Sequence, residues 1–343
     1  MSKKYLLIGG VSSDDPQSYG GTTVLMQQMV DYFKENNKDY ILIKTNIYTG
    51  KLSVFLNFSY VIFNIFRYIF QVDIIMVNVA RNGAFILSPI VYLIVKMFRK
   101  EFVFRMFGGN FVTLYQQSKM KQKIANWTFL KADVIFVETK EILNFVKNIN
   151  QNTFWFPNTR KQLNIKKEND TYTKKFVFIS SVKATKGIDE IVYASQKLDD
   201  SYTIDIYGPI QDKKYSIEYF QERGVNYKGS LTPKNVIRTL SIYDVLLLPS
   251  FHPGEGYPGI IIEAYSLGIP CISTQWQAIP EIVDDKETGL LVEPKSSTEL
   301  INAMLSLDNE FYEYLSNNAL EKFEIFRYEN VYRHVISICE KEY

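Results

Sequence analysis

The sequence has little cysteine and little histidine. In 343 residues, Cys271 and Cys339 are the two cysteines, and His252 and His334 are the two histidines. This scarcity excludes a disulfide framework and a cysteine-based metal site, and it fits a reducing cytosol. The formal net charge is only +2, so the charge balance predicts no nucleic-acid partner.

Uninterrupted apolar runs of about 20 residues, the length that a membrane span needs, are also absent. Arg67 interrupts the apolar stretch 54–70, and Pro89 and Lys96 interrupt 84–98. We interpret both stretches as core helices of an α/β domain. The alternative is that one face of these helices rests on a membrane surface, as basic amphipathic helices do.

Apolar and aromatic residues, in contrast, are abundant, at 46% and 15% of the chain. A chain of this length exceeds the size at which single hydrophobic cores stop growing, so we expect two domains. The first apolar run ends after about seven residues, which is short for a signal peptide. We therefore expect the chain to begin with a buried strand.

Short apolar runs alternate with longer helical patterns along the whole chain. In the first half we predict strands at 5–10, 39–45, 73–78, 101–107 and 133–138, with helices at 22–35, 54–70, 85–98, 119–132 and 140–148. In the second half we predict strands at 175–180, 203–207, 225–227, 245–248, 270–273 and 288–292, with helices at 187–198, 217–223 and 234–240, one opening near 259, and a last helix at 323–343. This alternation predicts parallel sheets covered by helices on both faces. Between the halves, 161–175 is polar, and we place the domain boundary at Pro157.

One stretch carries the chemistry. Residues 249–274 read PSFHPGEGYPGIIIEAYSLGIPCIST and contain Glu255 and Glu263. The Gly- and Pro-rich turn opens a helix whose free N–H groups and dipole favour an anion. Glu263 lies in an apolar run and needs a hydrogen-bond partner if it is buried. An ordinary capped helix with a solvent-facing Glu is the alternative.

Residues 227–294 resemble the carboxyl-terminal domain of the retaining, nucleotide-sugar-dependent enzymes of glycosyltransferase family 4. They keep, in order, a strand ending in Pro-Ser, the two glutamates with seven residues between them, a G-x-P-x-I strand, a P-E-I-V helix start and a T-G-L-L-V strand. FISSVKATKGI at 178–188 resembles the Lys-Gly loop of the family, and Gly20-Gly21 resembles its amino-terminal glycine loop.

The resemblance implies a GT-B fold, an α/β architecture of two Rossmann-like, doubly wound domains facing an inter-domain cleft. Residues 1–157 would form the acceptor domain and residues 158–325 the nucleotide-sugar donor domain. Residues 326–343 would form a helix that crosses back to the first domain. A terminal helix that stays with the second domain is the alternative.

The resemblance also implies roles for the matching residues. Lys186 would stabilise the charge of the leaving diphosphate, and Glu255 would lie against the donor sugar; these are the predicted catalytic residues. Glu263 would bind the ribose hydroxyls. The other predicted donor-binding residues are Gly256, Tyr257, Pro258, Gly259, Ile260, Lys183, Ser181, Gly187, Gly20 and Gly21. Taken alone, Lys186-Gly187 also fits an ordinary helix-entry turn.

The chain departs from the family pattern at two places. Ser180-Ser181 stands where the family has Gly-Arg, and our hypothesis is that Lys183 supplies the missing cation, although an ammonium is not equivalent to a planar guanidinium. A histidine common in the amino-terminal domain of relatives is missing. Its role is either absent or filled by one of the predicted acceptor-binding residues, which are Arg105, Gly108, Gly109 and Asn110.

The sequence contains no Asp-x-Asp pair, which the other large class of glycosyltransferases uses to hold a divalent cation on the diphosphate. We therefore expect a metal-independent hexosyltransferase that needs no cofactor and uses a UDP- or GDP-sugar as co-substrate. Retention of configuration, with the leaving phosphate helping to take the acceptor proton, is implied by the resemblance alone.

The resemblance to enzymes of bacterial surface-polysaccharide assembly implies a saccharide or lipid-linked saccharide acceptor, as in O-antigen or capsule synthesis. We expect a cytoplasmic protein, with peripheral contact at the inner face of the cytoplasmic membrane as a further expectation. A non-catalytic protein that binds a nucleotide sugar beside another transferase is the alternative. A phosphorylase of the same fold would need a cofactor lysine and a far longer chain.

Overall fold

The structure is a computed structural model that describes residues 3–11, 21–80, 82–168 and 171–341. The chain divides into two compact units, one of Met1–Asn158 with Glu329–Tyr343 and one of Thr159–Tyr328. Gly20, one of the predicted donor-binding residues, lies outside the described residues.

The first unit is built on a six-stranded sheet in which every paired strand is parallel. Its strands are β1 (Tyr5–Gly9), β2 (Tyr40–Lys44), β3 (Ile74–Ala80), β4 (Glu101–Phe107), β5 (Val134–Val137) and β6 (Thr153–Trp155), in the order β2-β1-β3-β4-β5-β6. The central strands are buried along nearly their whole length because helices cover both faces of the sheet, as the continuous apolar runs predict.

Seven helices belong to the first unit among the described residues. They are α1 (Gly21–Glu35), α2 (Ser53–Tyr68), α3 (Asn82–Met97), α4 (Phe111–Gln116), α5 (Lys119–Trp127), α6 (Lys140–Lys147) and, from the end of the chain, α13 (Tyr328–Glu340). Within this unit, α13 contacts α1: the Tyr332 hydroxyl donates to the Leu25 carbonyl at 3.1 Å, and its ring stacks on Tyr32.

The second unit repeats the plan with another parallel six-stranded sheet. Its strands are β7 (Lys175–Ile179), β8 (Thr203–Tyr207), β9 (Asn226–Tyr227), β10 (Val245–Leu248), β11 (Cys271–Thr274) and β12 (Gly289–Val292), in the order β12-β11-β10-β7-β8-β9. Its helices are α7 (Ile188–Ser195), α8 (Ile217–Gln221), α9 (Pro233–Leu240), α10 (Gly259–Tyr265), α11 (Ser297–Leu305) and α12 (Asn309–Phe323). The prediction of two doubly wound, Rossmann-like domains is confirmed.

The polar stretch 161–175, which follows the predicted domain boundary, packs within the second unit where the structure describes it. Lys167 donates to the buried Asp244 at 2.9 Å, and Asp244 also accepts the backbone N–H groups of Thr173 and Lys175. The Tyr172 ring stacks on Tyr312 at 5.2 Å between centroids. Charge pairing and aromatic stacking thus tie this segment to the second unit without an apolar run.

The helix α2 is apolar on both its faces. Val61, Ile65 and Ile69 pack in the core, whereas Phe55 and Phe63 on the other side are 69% and 67% exposed. With the 3₁₀ turn that continues it, Ser53–Gln71 is the single helix among the described residues that is long and apolar enough to cross a membrane, and only 22% of it is buried. Core packing explains one of these faces but not the other.

Candidate active site

The second sheet has its topological switch point between β7 and β10. The chain runs from β7 outward to β8 and β9, and then returns to place β10 on the other side of β7. The loops that leave these two strands therefore start side by side at the carboxyl edge, where open α/β sheets bind ligands. They are the two segments that carry Lys186 and Glu255.

The turn after β7 is held by backbone geometry. Ala184–Lys186 forms a 3₁₀ turn, and Gly187 follows in the left-handed region at φ +81°. A Cβ atom at Gly187 would lie 2.3 Å from the Pro249 carbonyl oxygen, and the Phe251 N–H donates to the Thr185 carbonyl at 2.8 Å. The turn is therefore locked against the loop after β10.

Lys186 and Glu255 form an ion pair at this edge. Lys186 Nζ lies 2.5 Å from Glu255 Oε2, and the Ser250 hydroxyl donates to the same oxygen at 2.7 Å. Their side chains are only 12% and 10% exposed. The two predicted catalytic residues, 69 positions apart in sequence, are thus brought into contact.

The loop around Glu255 is supported from behind. The His252 ring Nδ1 lies 3.0 Å from the Thr185 hydroxyl, and the Trp276 indole N–H donates to the His252 carbonyl at 2.9 Å. The Gly254 N–H donates to the Gln277 side-chain oxygen at 2.9 Å. His252 therefore joins the two loops of the site.

Residues 158–322, which contain all of this geometry, match the family described as Glycosyl transferases group 1. The chain carries a group 1 glycosyltransferase domain. The sequence-based family resemblance is thereby confirmed for this domain, which extends from the end of β6 to the last turn of α12.

Related proteins and solved structures agree with this assignment. The chain is 26% identical over 183 residues to an uncharacterized 41.2 kDa protein in the cps region of Klebsiella pneumoniae, covering 49% of this chain and 50% of that protein. It is 30% identical over 134 residues, 36% of this chain and 33% of the relative, to a Salmonella typhimurium protein whose name assigns it to colanic acid biosynthesis as the glycosyltransferase WcaL. Alr3699/HepE from Anabaena has been solved with UDP and with UDP-glucose. The present chain matches the complex with UDP at a TM-score of 0.74 and 14% identity, over 98% of this chain and 100% of that one.

The chain spans about a third to a half of the length of these two relatives. The likeness to HepE shows the fold, because 14% identity is too low to carry more. The fold, with two Rossmann-like units of the GT-B class, and the group 1 domain are therefore established. The reaction and its substrates are proposed below.

Within the group 1 domain, Glu263 has a partner that the sequence analysis missed. Its carboxylate accepts from Arg160 Nε, and the two side chains are 19% and 13% exposed. The Arg160 guanidinium also covers Gly259, where a Cβ atom would meet Nη2 at 1.6 Å. Arg160 lies three residues after the predicted domain boundary at Pro157 and outside the segments that resemble the family, so the motifs gave no signal for it.

The other predicted donor-binding residues surround these two ion pairs. Gly256 and Pro258 lead into α10, Gly259 and Ile260 are its first residues, and Ser181 and Lys183 precede the Lys186 turn. Lys183 is half-buried and forms no ion pair with any residue that the structure describes. Within the described part of the chain, this edge therefore carries one unpaired cation beside the paired Lys186 and Arg160.

The Tyr257 side chain is buried and makes its contacts inside the second unit. It is 3% exposed, its hydroxyl donates to Glu281 at 2.6 Å, and its ring packs edge-on against Phe326. The predicted donor-binding role of Tyr257 is therefore limited to its backbone, because its side chain anchors the loop in the interior.

Arg105 also lies differently from expectation. It is 1% exposed, its guanidinium sits 3.3 Å from the centroid of the Phe156 ring, and burial lowers its pKa although Tyr332 and Glu138 counteract the shift. A guanidinium so enclosed has no surface for an acceptor. Arg105 is therefore a core residue of the first unit and is withdrawn as an acceptor ligand.

The remaining residues predicted in the first unit stand at ends of its elements. Gly21 begins α1 and is exposed, and Gly109 and Asn110 precede α4. The Gly108 N–H donates to Glu138 Oε2 at 2.9 Å, at a backbone φ of +88°. Their acceptor role stays a prediction.

A cavity of about 560 Å³ lies at the switch point of the first sheet, between β1 and β3. The carboxyl ends of the strands contribute polar groups to it, including Thr45 and Asn78, and α2 and α3 contribute apolar ones, including Phe58 and Leu87. The first unit thus has a concave site with a mixed polar and apolar lining.

Glu190 on α7 gives a pH-dependent prediction. Its carboxylate is 9% exposed, its Oε2 is buried without a hydrogen-bond partner among the described residues, and burial raises its pKa above the usual 4.5. Because the folded state then binds this proton more tightly than the unfolded chain, Glu190 lowers the stability as the pH rises from 4.5 through its folded pKa.

We expect the free energy of unfolding of Glu190→Gln, relative to the wild type, to increase by roughly 1 kcal/mol between pH 4 and pH 7. Urea denaturation followed by circular dichroism measures it. Glu222→Gln, at a side chain that is 75% exposed, is the control and should show no such trend. A difference for Glu190→Gln that is the same at both pH values would contradict the burial argument.

Proposed function

We propose that the protein transfers a sugar from a nucleotide-diphosphate sugar to a saccharide, with retention at the anomeric carbon. The observation that carries the proposal is the ion pair of Lys186 and Glu255 at the switch point of the second sheet, in a group 1 domain. This edge binds ligands in doubly wound folds, and the pair supplies a cation and a carboxylate there.

In the proposed reaction the bond between the anomeric carbon and the diphosphate oxygen breaks, and an acceptor hydroxyl forms the new bond on the same face. The acceptor proton passes to an oxygen of the leaving phosphate. Lys186 stabilises the negative charge that develops on that phosphate, and the N–H groups from Gly256 to Ile260 add to this stabilisation. No metal ion and no cofactor is needed in this proposal.

Glu255 positions the donor sugar and stabilises positive charge near the anomeric carbon. Its Oε2 atom already holds Lys186 and Ser250, so we assign the sugar contact to Oε1. Glu263 binds the ribose hydroxyls and exchanges part of its contact with Arg160 for them. Arg160 then remains beside the nucleotide and contributes the guanidinium that Ser180-Ser181 lacks.

The proposed donor is a UDP- or GDP-sugar, and the proposed acceptor is a saccharide or a lipid-linked saccharide of bacterial surface-polysaccharide assembly. The names of the relatives from polysaccharide gene regions support the acceptor class, and the UDP complexes of the Anabaena structure support the donor class. A cytoplasmic protein with peripheral contact at the inner membrane face belongs to the same proposal.

Hydrolysis of a panel of UDP- and GDP-sugars by the purified chain tests the proposal, with binding measured by calorimetry in parallel. Slow release of a sugar from one donor, with the anomeric configuration kept, supports a retaining transferase. Binding of a donor without turnover, even with oligosaccharide acceptors added, would instead support the non-catalytic alternative.

Lys183→Ala tests the donor site separately from turnover. Because the ammonium belongs to a half-buried lysine with no ion pair among the described residues, we expect its removal to raise the donor Kd by about tenfold or more, as the loss of a charge-assisted hydrogen bond does. Lys197→Ala, an exposed lysine after α7, is the matched control and should leave the Kd unchanged. An unchanged Kd for Lys183→Ala by calorimetry would remove Lys183 from the site.

A further inference from the structure

The first unit exposes a continuous set of large apolar side chains, which we name the apolar face. Four of them lie on α2 and on the turn that continues it, and four lie on α3; all are between 38% and 76% exposed. They are Phe55, Phe63, Phe66, Phe70, Ile86, Ile90, Leu93 and Met97. Soluble proteins seldom expose apolar patches of this size unless the patch binds something.

Helical spacing places these side chains in two parallel stripes. On α3 they recur at intervals of four, three and four residues, which is one side of a helix. The ends of the two helices meet at Phe98, whose ring packs edge-on against Phe66 at 6.0 Å and Phe70 at 5.2 Å. The two stripes therefore form one surface.

The charge around the apolar face is strongly segregated. Residues 40–132, which contain α2, α3 and α5, have twelve basic and two acidic residues in a chain whose total charge is +2. Of the twelve, Arg105 is buried and Lys96 is paired with Asp133, so neither of these adds free charge at the surface. Both acidic residues are engaged, Asp73 with the Lys4 N–H and Glu101 with Lys3. Lys51, Arg67 and Arg99 are exposed at the ends of α2 and after α3.

The neighbouring helix α5 extends this pattern. The Lys121 ammonium lies 5.3 Å from the centroid of the Phe85 ring on α3, so the two helices are adjacent. Lys119 and Lys123 on α5 are exposed, and so are Met120 and Trp127, at 69% and 77%. Apolar side chains bordered by lysine and arginine are the composition of a surface that binds anionic lipid.

A helix lying in the plane of the membrane fits the fold, whereas a spanning helix does not. Val61, Ile65 and Ile69 hold the inner side of α2 in the core of the first unit. The chain then enters β3, which pairs with β1 inside the sheet. Crossing a bilayer would require α2 to leave this core, so the apolar face contacts lipid from the side.

We propose that the apolar face binds the surface of an anionic lipid bilayer, with its aromatic and aliphatic side chains in the acyl boundary and its basic residues on the lipid phosphates. This rests on the membrane contact proposed above and gives it a surface; it can be measured without any sugar substrate, so its failure would leave the proposed transfer reaction untouched. Val54, next to the face, and Ile86, within it, also line the 560 Å³ cavity. Docking therefore brings the α2 and α3 side of that cavity towards the bilayer.

Flotation of the full chain with vesicles tests this surface. We expect binding to vesicles of phosphatidylcholine with phosphatidylglycerol at low salt, and weak binding to phosphatidylcholine alone. Phe63→Asp and Leu93→Asp, each at an exposed position, should each lower the bound fraction about tenfold or more, because one apolar side chain is lost from lipid and a repelled charge is added. Arg67→Gln with Arg99→Gln should lose most of the preference for anionic lipid.

Ile217→Asp, 52% exposed on α8 of the second unit, is the matched control and should bind vesicles like the wild type. Circular dichroism checks that each variant is folded. Equal binding of the wild type and both aspartate variants would overturn the proposal. A second result would also overturn it: the wild type does not bind vesicles, it sediments as a dimer, and Phe63→Asp converts the dimer to monomers. That result would assign the apolar face to a second copy of the chain.

Discussion

Replacing Lys186 by methionine is expected to lower kcat by a hundred- to a thousand-fold. The methionine keeps the length of the side chain but removes the charge that would stabilise the leaving diphosphate, and loss of one preorganised group of this kind has an effect of about that size. Initial rates of transfer or donor hydrolysis measure it. Lys197→Met, at an exposed lysine, is the matched control and should keep full activity.

The Lys186–Glu255 pair is 10–12% exposed, so removing one partner also leaves a poorly solvated charge. Breaking such a pair costs stability, and this cost has to be separated from a catalytic effect. The double variant Lys186→Met with Glu255→Gln removes both charges and restores electrical balance. We expect it to regain the stability lost by the single variant but none of the turnover.

Glu255→Gln alone should also lower turnover strongly, because the amide cannot stabilise positive charge near the anomeric carbon. Full turnover in Glu255→Gln would show that the carboxylate has no such role. Recovery of activity in the double variant would show that Lys186 acts only as the structural partner of Glu255. The two proposed catalytic roles are therefore tested independently.

Gly187→Ala is expected to destabilise the second unit by about 3 kcal/mol or more. An alanine at φ +81° costs roughly 1 kcal/mol in backbone conformation. Its Cβ would also lie 2.3 Å from the Pro249 carbonyl oxygen and 2.6 Å from Pro249 Cγ, so one of the two loops has to move. Chemical denaturation followed by circular dichroism measures the loss.

Gly224→Ala separates these two contributions. Gly224 has a similar left-handed φ of +66°, but a Cβ atom there would meet nothing within 4 Å. We expect it to cost only the backbone part, about 1 kcal/mol. Equal losses in the two variants would show that the contact with Pro249 is relieved at no cost.

If the contact matters, Gly187→Ala should also weaken donor binding, because the displaced turn carries Lys186.

The strands were predictable because each is a short apolar run between helical patterns. The exception is β6, since its three residues are too few to show a period. The helices α11 and α12 were also missed. They begin at the side-chain caps of Ser296 and Asp308, which are local signals that the hydrophobic pattern does not include.

Within the site, local patterns predicted which segments matter but not how their side chains pair. Lys186 and Glu255 were each identified from their own motif, and their contact became visible only in the fold. Arg160 was missed because its partner Glu263 lies 103 residues away. The side chains of Arg105 and Tyr257 are buried against Phe156 and Phe326, which rules out direct ligand contact by either side chain. The sequence could not show this, because the burial of a side chain depends on neighbours that are distant in the chain.

The sequence by itself determined the two parallel α/β domains and the family of the second, because strand and helix periods and ordered motifs are local properties of the chain. The tertiary structure decided which charges meet at the edge of the second sheet and which aromatic rings turn inward. It also decided that the outer sides of α2 and α3 form one apolar face. From the sequence, both helices were interpreted as core helices, and an outer face resting on a membrane was only the alternative. These outcomes depend on contacts between distant segments, and only the folded sheets bring those segments together.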